Sequence, residues 1–91
     1  MSDSAVIENE IRDTALPARE YMLAHNQSYE GVCDTVRPTL TSTSDVTCND
    51  NEESWAISAK AEEGYWCVDT DTVLKKIQTE LGERTSCLQL P

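Results

Sequence analysis

The four cysteines, Cys33, Cys48, Cys67 and Cys87, limit what this chain can become more than any other feature. They fall 15, 19 and 20 positions apart, so no two make the close C-x(2–4)-C pair of a four-cysteine zinc site. An even count at wide spacing in a short acidic chain reads instead as a disulfide framework made in an oxidising compartment. Four cysteines allow three connectivities, and the residues themselves leave the choice open. Covalent help matters here because the core is thin. At 91 residues the chain suits one domain, and with no Phe its aromatic bulk rests on Trp55, Trp66, Tyr21, Tyr29 and Tyr65.

Charge narrows the partners. The formal net charge of −10 divides into −4 over residues 1–32, −7 over 33–72 and +1 over 73–91. Such a surface repels phosphate, so direct nucleic-acid binding is not expected. Solubility of a small exported domain is reason enough for the charge. No apolar run is long enough to span a membrane, and the charged N-terminus holds no apolar stretch of a signal peptide. Disulfides without an export signal are reconciled by expecting a piece of a longer protein, whose membrane or export segment precedes Ser2.

Along the chain, residues 3–26 read as one amphipathic helix with Ile7, Ile11, Ala15, Ala18 and Met22 on its inner stripe, which Leu16 and Leu23 widen. Pro17 interrupts the pattern and bends it; a break at Asp13-Thr14 is the alternative. Asn26 to Gly31 ends the helix. Residues 33–53, polar and without sustained period, read as a long irregular loop. Residues 54–69 form a β-hairpin. Trp55, Ile57, Ala59 and Ala61 alternate with Ala56, Ser58 and Lys60, Glu62-Glu63-Gly64 turns, and Tyr65 to Asp69 returns. Trp66 and Val68 face one side, Tyr65 and Cys67 the other. In the C-terminal region 71–91, Val73, Leu74, Ile77 and Leu81 predict a short helix over 73–82, and Cys87 to Leu90 an edge strand. The fold class is α+β, a long N-terminal helix on a small antiparallel sheet, stapled by disulfides. The predicted core is Ile7, Ile11, Ala18, Met22, Trp55, Ile57, Trp66 and Val68.

Reactive constellations are weak. His25, the sole histidine, has no triad partner near it in sequence and fits a helix C-terminus. Asp69-Thr70-Asp71 with Glu80 imitates a calcium loop, but Leu74 stands where that loop needs Gly. The acidic run Asp45 to Glu53 reads as a solvated loop. Trp55, Trp66 and Tyr65 as a sugar-binding patch yields to core duty. No enzyme activity, metal or cofactor is expected.

Three segments carry a family resemblance. The helix end Ala18-Arg19-Glu20-Tyr21-Met22-Leu23-Ala24-His25-Asn26-Gln27-Ser28-Tyr29, the strand Ser54-Trp55-Ala56-Ile57-Ser58-Ala59 and the segment Gly64-Tyr65-Trp66-Cys67-Val68-Asp69 together resemble the soluble head of a type IV pilin or pseudopilin. The resemblance implies a long helix whose apolar first half, absent here, enters the membrane or filament core. It also implies a helix-to-sheet loop at 33–53 and a C-terminal disulfide-bounded region. On that reading the pairs are Cys33–Cys48 and Cys67–Cys87, each closing one irregular segment and tying it to a helix-and-hairpin body. Gln27 departs from the family, standing where Gly is common, and the family's cleavage site and early Glu are missing. The implied function is a major or minor pilin, an extracellular filament subunit that binds other pilin subunits and acts by assembly. The alternative is a secreted disulfide-rich binding module, such as an adhesin, using the 34–53 loop.

Overall fold

The N-terminal helical stretch breaks where its sequence removes a hydrogen bond. Pro17 has no N–H for the carbonyl of Asp13, and its ring crowds that carbonyl. In the computed structural model, which describes residues 3–41, 45–61 and 64–87, helix α1 (Asp3–Asp13) therefore ends and α2 (Ala15–Ala24) begins around Thr14. Thr14 is fully buried, and both its N–H and its Oγ1 donate to the Ile11 carbonyl, at 3.1 and 2.6 Å. That satisfies the polar groups the break exposes. One bent helix to residue 26 was expected, with a break at Asp13-Thr14 as the alternative; the long helical stretch runs to Ala24 and is interrupted at Thr14. Asn26 and Gln27 then take φ of 58° and 62°, and the Gln27 N–H closes the end on the Met22 carbonyl at 2.8 Å.

The expected irregular loop 33–53 is largely ordered. Gly31, at φ 91°, starts α3 (Val32–Val36), a 3-10 turn follows at Arg37–Thr39, and β1 (Val46–Asp50) lies near its end. Val32, Val36 and Leu40, four residues apart, all face inward and are buried. The hairpin forms as its alternation predicts. Strand β2 (Trp55–Ala61) pairs antiparallel with β3 (Gly64–Asp69), with Ile57 opposite Val68 and Ala59 opposite Trp66.

The predicted helix over 73–82 is absent. Lys75–Ile77 forms strand β4 on the edge of β3 instead, with Tyr65 opposite Ile77. The backbone groups along β3 need partners, and pairing buries Ile77 to 2 % exposure while Val73 stays in solvent. Tertiary pairing outweighs a helical spacing with so few turns to sustain it. The predicted edge strand from Cys87 to Leu90 falls mostly outside the described residues; Cys87 itself is not in a strand.

The result is a four-stranded antiparallel meander in the order β1-β2-β3-β4, covered on both faces. Against one face lie Ile7, Ile11, Ala18, Val32, Val36 and Leu40 from the helical side, meeting Cys48, Trp55, Ile57, Ala59 and Val68. On the other face Ala56, Cys67 and Ile77 meet Leu81 and Cys87 from the C-terminal segment. Two predicted core residues sit differently. Met22 is only half-buried and lies outside the first cluster, where Tyr21 takes part instead. Trp66 is also half-buried, leaning on that cluster with its ring 5.3 Å from Lys76 Nζ. Trp55, with 1 % exposed, is the largest fully buried side chain.

Disulfides join Cys33 to Cys48 and Cys67 to Cys87. They were expected to tie irregular segments to a separate body. Cys48 instead lies in the first core cluster, and Cys67 and Cys87 in the second. Three of the four staple residues are core residues, and Cys33 packs against the first cluster from a partly exposed position.

Candidate functional site

Three surfaces and one buried cluster hold the side chains with chemical potential. The buried cluster surrounds Asp69, at the end of β3. Asp69 is 3 % exposed, and its Oδ2 accepts the Cys87 backbone N–H at 2.7 Å while Oδ1 accepts that of Asp71 at 3.0 Å. Lys75 Nζ stands 3.6 Å from Asp69 and 3.8 Å from Asp71, long for hydrogen bonds, so the ammonium is held by ion pairing alone. Both Asp69 oxygens face backbone donors: Oδ2 fixes the tail at Cys87 and Oδ1 closes the turn after β3. The calcium-like spacing of Asp69-Thr70-Asp71 thus resolves into an Asx-type turn. Among the described residues no group of three or more His, Cys, Asp or Glu is arranged to hold a metal ion.

His25 lies at the C-terminal end of α2. Its ring stacks on Tyr21 with centroids 3.8 Å apart, and Nδ1 is 2.8 Å from the Tyr21 carbonyl oxygen. That accounts for its position without any catalytic duty.

The first surface is the outer face of α2. Leu16 and Leu23 are 65 % and 60 % exposed and, seven residues apart, lie on one line along the helix. Ala18 faces the opposite way, into the core. Beside Leu16 an open groove is lined by Arg12, Asp13, Ala15, Pro17, Arg19 and Thr72. A helix that buries Ala18 while exposing two leucines has apolar surface on both sides. Only one side is used within this fold.

The second surface is the acidic tip between β1 and β2. Asn51 Oδ1 accepts the N–H groups of Glu53 and Ser54, both at 2.8 Å, making a tight turn, and the Glu52 carbonyl accepts the Tyr29 N–H at 3.1 Å. With their backbones so engaged, the Glu52 and Glu53 side chains are left in solvent. The third surface is the backbone edge of β1. The acidic run that makes the second surface was readable as a solvated loop, whereas side-chain patterns carry no signal for the third, which backbone placement makes. The exposed Leu16–Leu23 line was readable from spacing, yet those two leucines had been assigned to widen the buried stripe.

Among the described residues no helix is long and apolar enough to cross a membrane. Compared with protein-family models, curated proteins and solved structures, the chain matches none.

Proposed function

We propose that the chain is the head of a structural subunit in a type IV pilus-like surface filament, a protein that works by assembly with further pilin subunits rather than by catalysis. The observation that supports this most directly is the exposed Leu16–Leu23 line on α2, opposite buried Ala18. A helix apolar on both sides suits a head that packs on its own core inward and on a neighbouring helix outward. The two disulfides agree with an oxidising, extracellular setting, and the helix-on-meander layering is compatible with the resemblance in sequence.

The test is made in cells expressing the full-length protein. Surface filaments sheared from those cells should contain the chain. The double variant Leu16→Glu with Leu23→Glu should leave the sheared fraction while the purified head keeps its melting temperature. Recovery of the wild-type chain only as free monomer in the medium would overturn the filament reading and favour a secreted binding module.

A further inference from the structure

We propose that the outer edge of β1 is a strand-addition site for an extended, Lys- or Arg-bearing segment of a partner protein. In an antiparallel ladder, residues alternate between those bonded to the neighbouring strand and those whose N–H and C=O point away. The Lys60 N–H donates to the Asp45 carbonyl at 3.1 Å and the Asn51 N–H to the Ser54 carbonyl at 2.9 Å, which fixes the phase. Asp45, Thr47, Asn49 and Asn51 turn toward β2; Val46, Cys48 and Asp50 present their N–H and C=O outward. Among the described residues no backbone or side-chain partner meets those outward groups.

Neighbouring elements straddle this edge without closing it. On one face the Cys33–Cys48 disulfide and the Cys33 N–H on Asp50 Oδ2, at 3.0 Å, hold α3. On the other, Asn49 Nδ2 donates to the carbonyls of Gly82 and Arg84, at 2.7 and 2.9 Å. Sheet edges are ordinarily guarded by Lys, Pro or a bulge. The opposite edge strand has Lys75 and Lys76, whereas β1 reads Val-Thr-Cys-Asn-Asp and carries no guard of that kind.

Charge chooses the occupant. Residues 45–53 hold Asp45, Asp50, Glu52 and Glu53 and no Lys or Arg, and Asp34 is exposed on α3. A second copy pairing edge to edge would set these carboxylates against one another, while a basic strand gains attraction along the ladder. Main-chain bonds supply register and the acids supply selection, as in other cases of strand addition.

The probe is a short peptide of alternating Lys and Val, compared with the same peptide N-methylated at every second residue so that charge is kept and ladder donors are lost. The expected result is binding of the plain peptide at least ~10-fold tighter than the methylated one. Slowed hydrogen exchange at the Val46, Cys48 and Asp50 amides should accompany it. Equal affinity for both peptides, no binding, or dimerisation through β1 without peptide each overturns the proposal. As a second arm, Val46→Pro removes one outward donor at a position where edge strands tolerate Pro. Provided its melting temperature stays close to wild type, it should lose at least ~10-fold in affinity, and retained affinity overturns the proposal. If that variant unfolds, the peptide comparison on the wild-type chain decides alone.

Discussion

Asp69 accepts the Cys87 backbone N–H at 2.7 Å, so a carboxylate at the end of β3 fixes the residue that the Cys67–Cys87 disulfide also holds. The tail is clamped by a covalent bond and a charged hydrogen bond side by side. Between them, Leu81 and Cys87 are pressed onto Ala56, Cys67 and Ile77. The second core therefore depends on a polar residue buried to 3 % exposure, which stays favourable because its oxygens and Lys75 are paired.

Replacing Asp69 by Ala leaves the Cys87 and Asp71 N–H groups without that acceptor and Lys75 without its nearer carboxylate. The expected loss is about 2–3 kcal/mol, read as a lower urea midpoint. Asp69→Asn keeps one acceptor oxygen and should cost less. A midpoint unchanged in Asp69→Ala would mean that the disulfide alone positions the tail.

How far these features were readable follows from what kind of interaction makes each. The hairpin was plain because Trp55, Ile57, Ala59 and Ala61 alternate and Gly64 stands where φ is 104°. Strand β1 gave no such signal, since Asn49 and Asp50 are poor strand formers and belong to the sheet through pairing with β2. Helix α3 is five residues long, too short for a period to stand out, although Val32, Val36 and Leu40 carry one. Ala56 and Ser58 were legible only as the residues that alternate with the apolar face. In the fold Ala56 packs with Cys67, Ile77 and Leu81, and Ser58 is buried as well. The β1 edge is a property of backbone direction, which no side-chain pattern encodes.

A side chain at Gly31 would be both strained and crowded. At φ 91° a Cβ is strained, and it would stand 2.5 Å from the Tyr21 hydroxyl, which donates to the Glu30 carbonyl at 2.6 Å. Gly31→Ala should cost about 2–3 kcal/mol, combining left-handed strain with a displaced hydrogen bond. Tyr21→Phe removes the hydroxyl and should cost about 1 kcal/mol alone. Because the next Tyr21 atom is 3.6 Å from that Cβ, the double variant should cost less than the sum. Strict additivity in chemical denaturation would locate the strain elsewhere.

The two tryptophans should separate. Trp55 is enclosed by the first core, and Trp55→Ala is expected to cost about 3–5 kcal/mol. Trp66 keeps one side in solvent under Lys76, so Trp66→Ala should cost roughly half as much or less. Equal losses in melting experiments would contradict the two environments.

Gln27 holds φ 62°, a conformation in which Gly avoids the Cβ penalty of about 1–2 kcal/mol. Its side chain is exposed, so little contact is forfeited by removing it. Against the gain stands the extra freedom of Gly in the unfolded chain, about 0.5–1 kcal/mol. Gln27→Gly should therefore raise stability slightly, by up to about 1 kcal/mol, and a lower melting temperature would show that the Gln side chain contributes.

The disulfides should differ in what their loss does. By loop closure alone each is worth ~3 kcal/mol, since the enclosed separations of 15 and 20 residues are similar. Their surroundings are not similar. Cys67 and Cys87 are both almost wholly buried, whereas Cys33 is partly open. Changing Cys67 and Cys87 to Ser adds the burial of two hydroxyls, about 1–3 kcal/mol each, and should abolish the second core. Changing Cys33 and Cys48 to Ser should be milder and should leave the β2–β3 amides protected from hydrogen exchange. The Ala versions separate the two causes, because they keep the loss of cross-link but bury no hydroxyl. If the Cys33–Cys48 pair proves the costlier to remove, α3 rather than the tail is what the sheet depends on most.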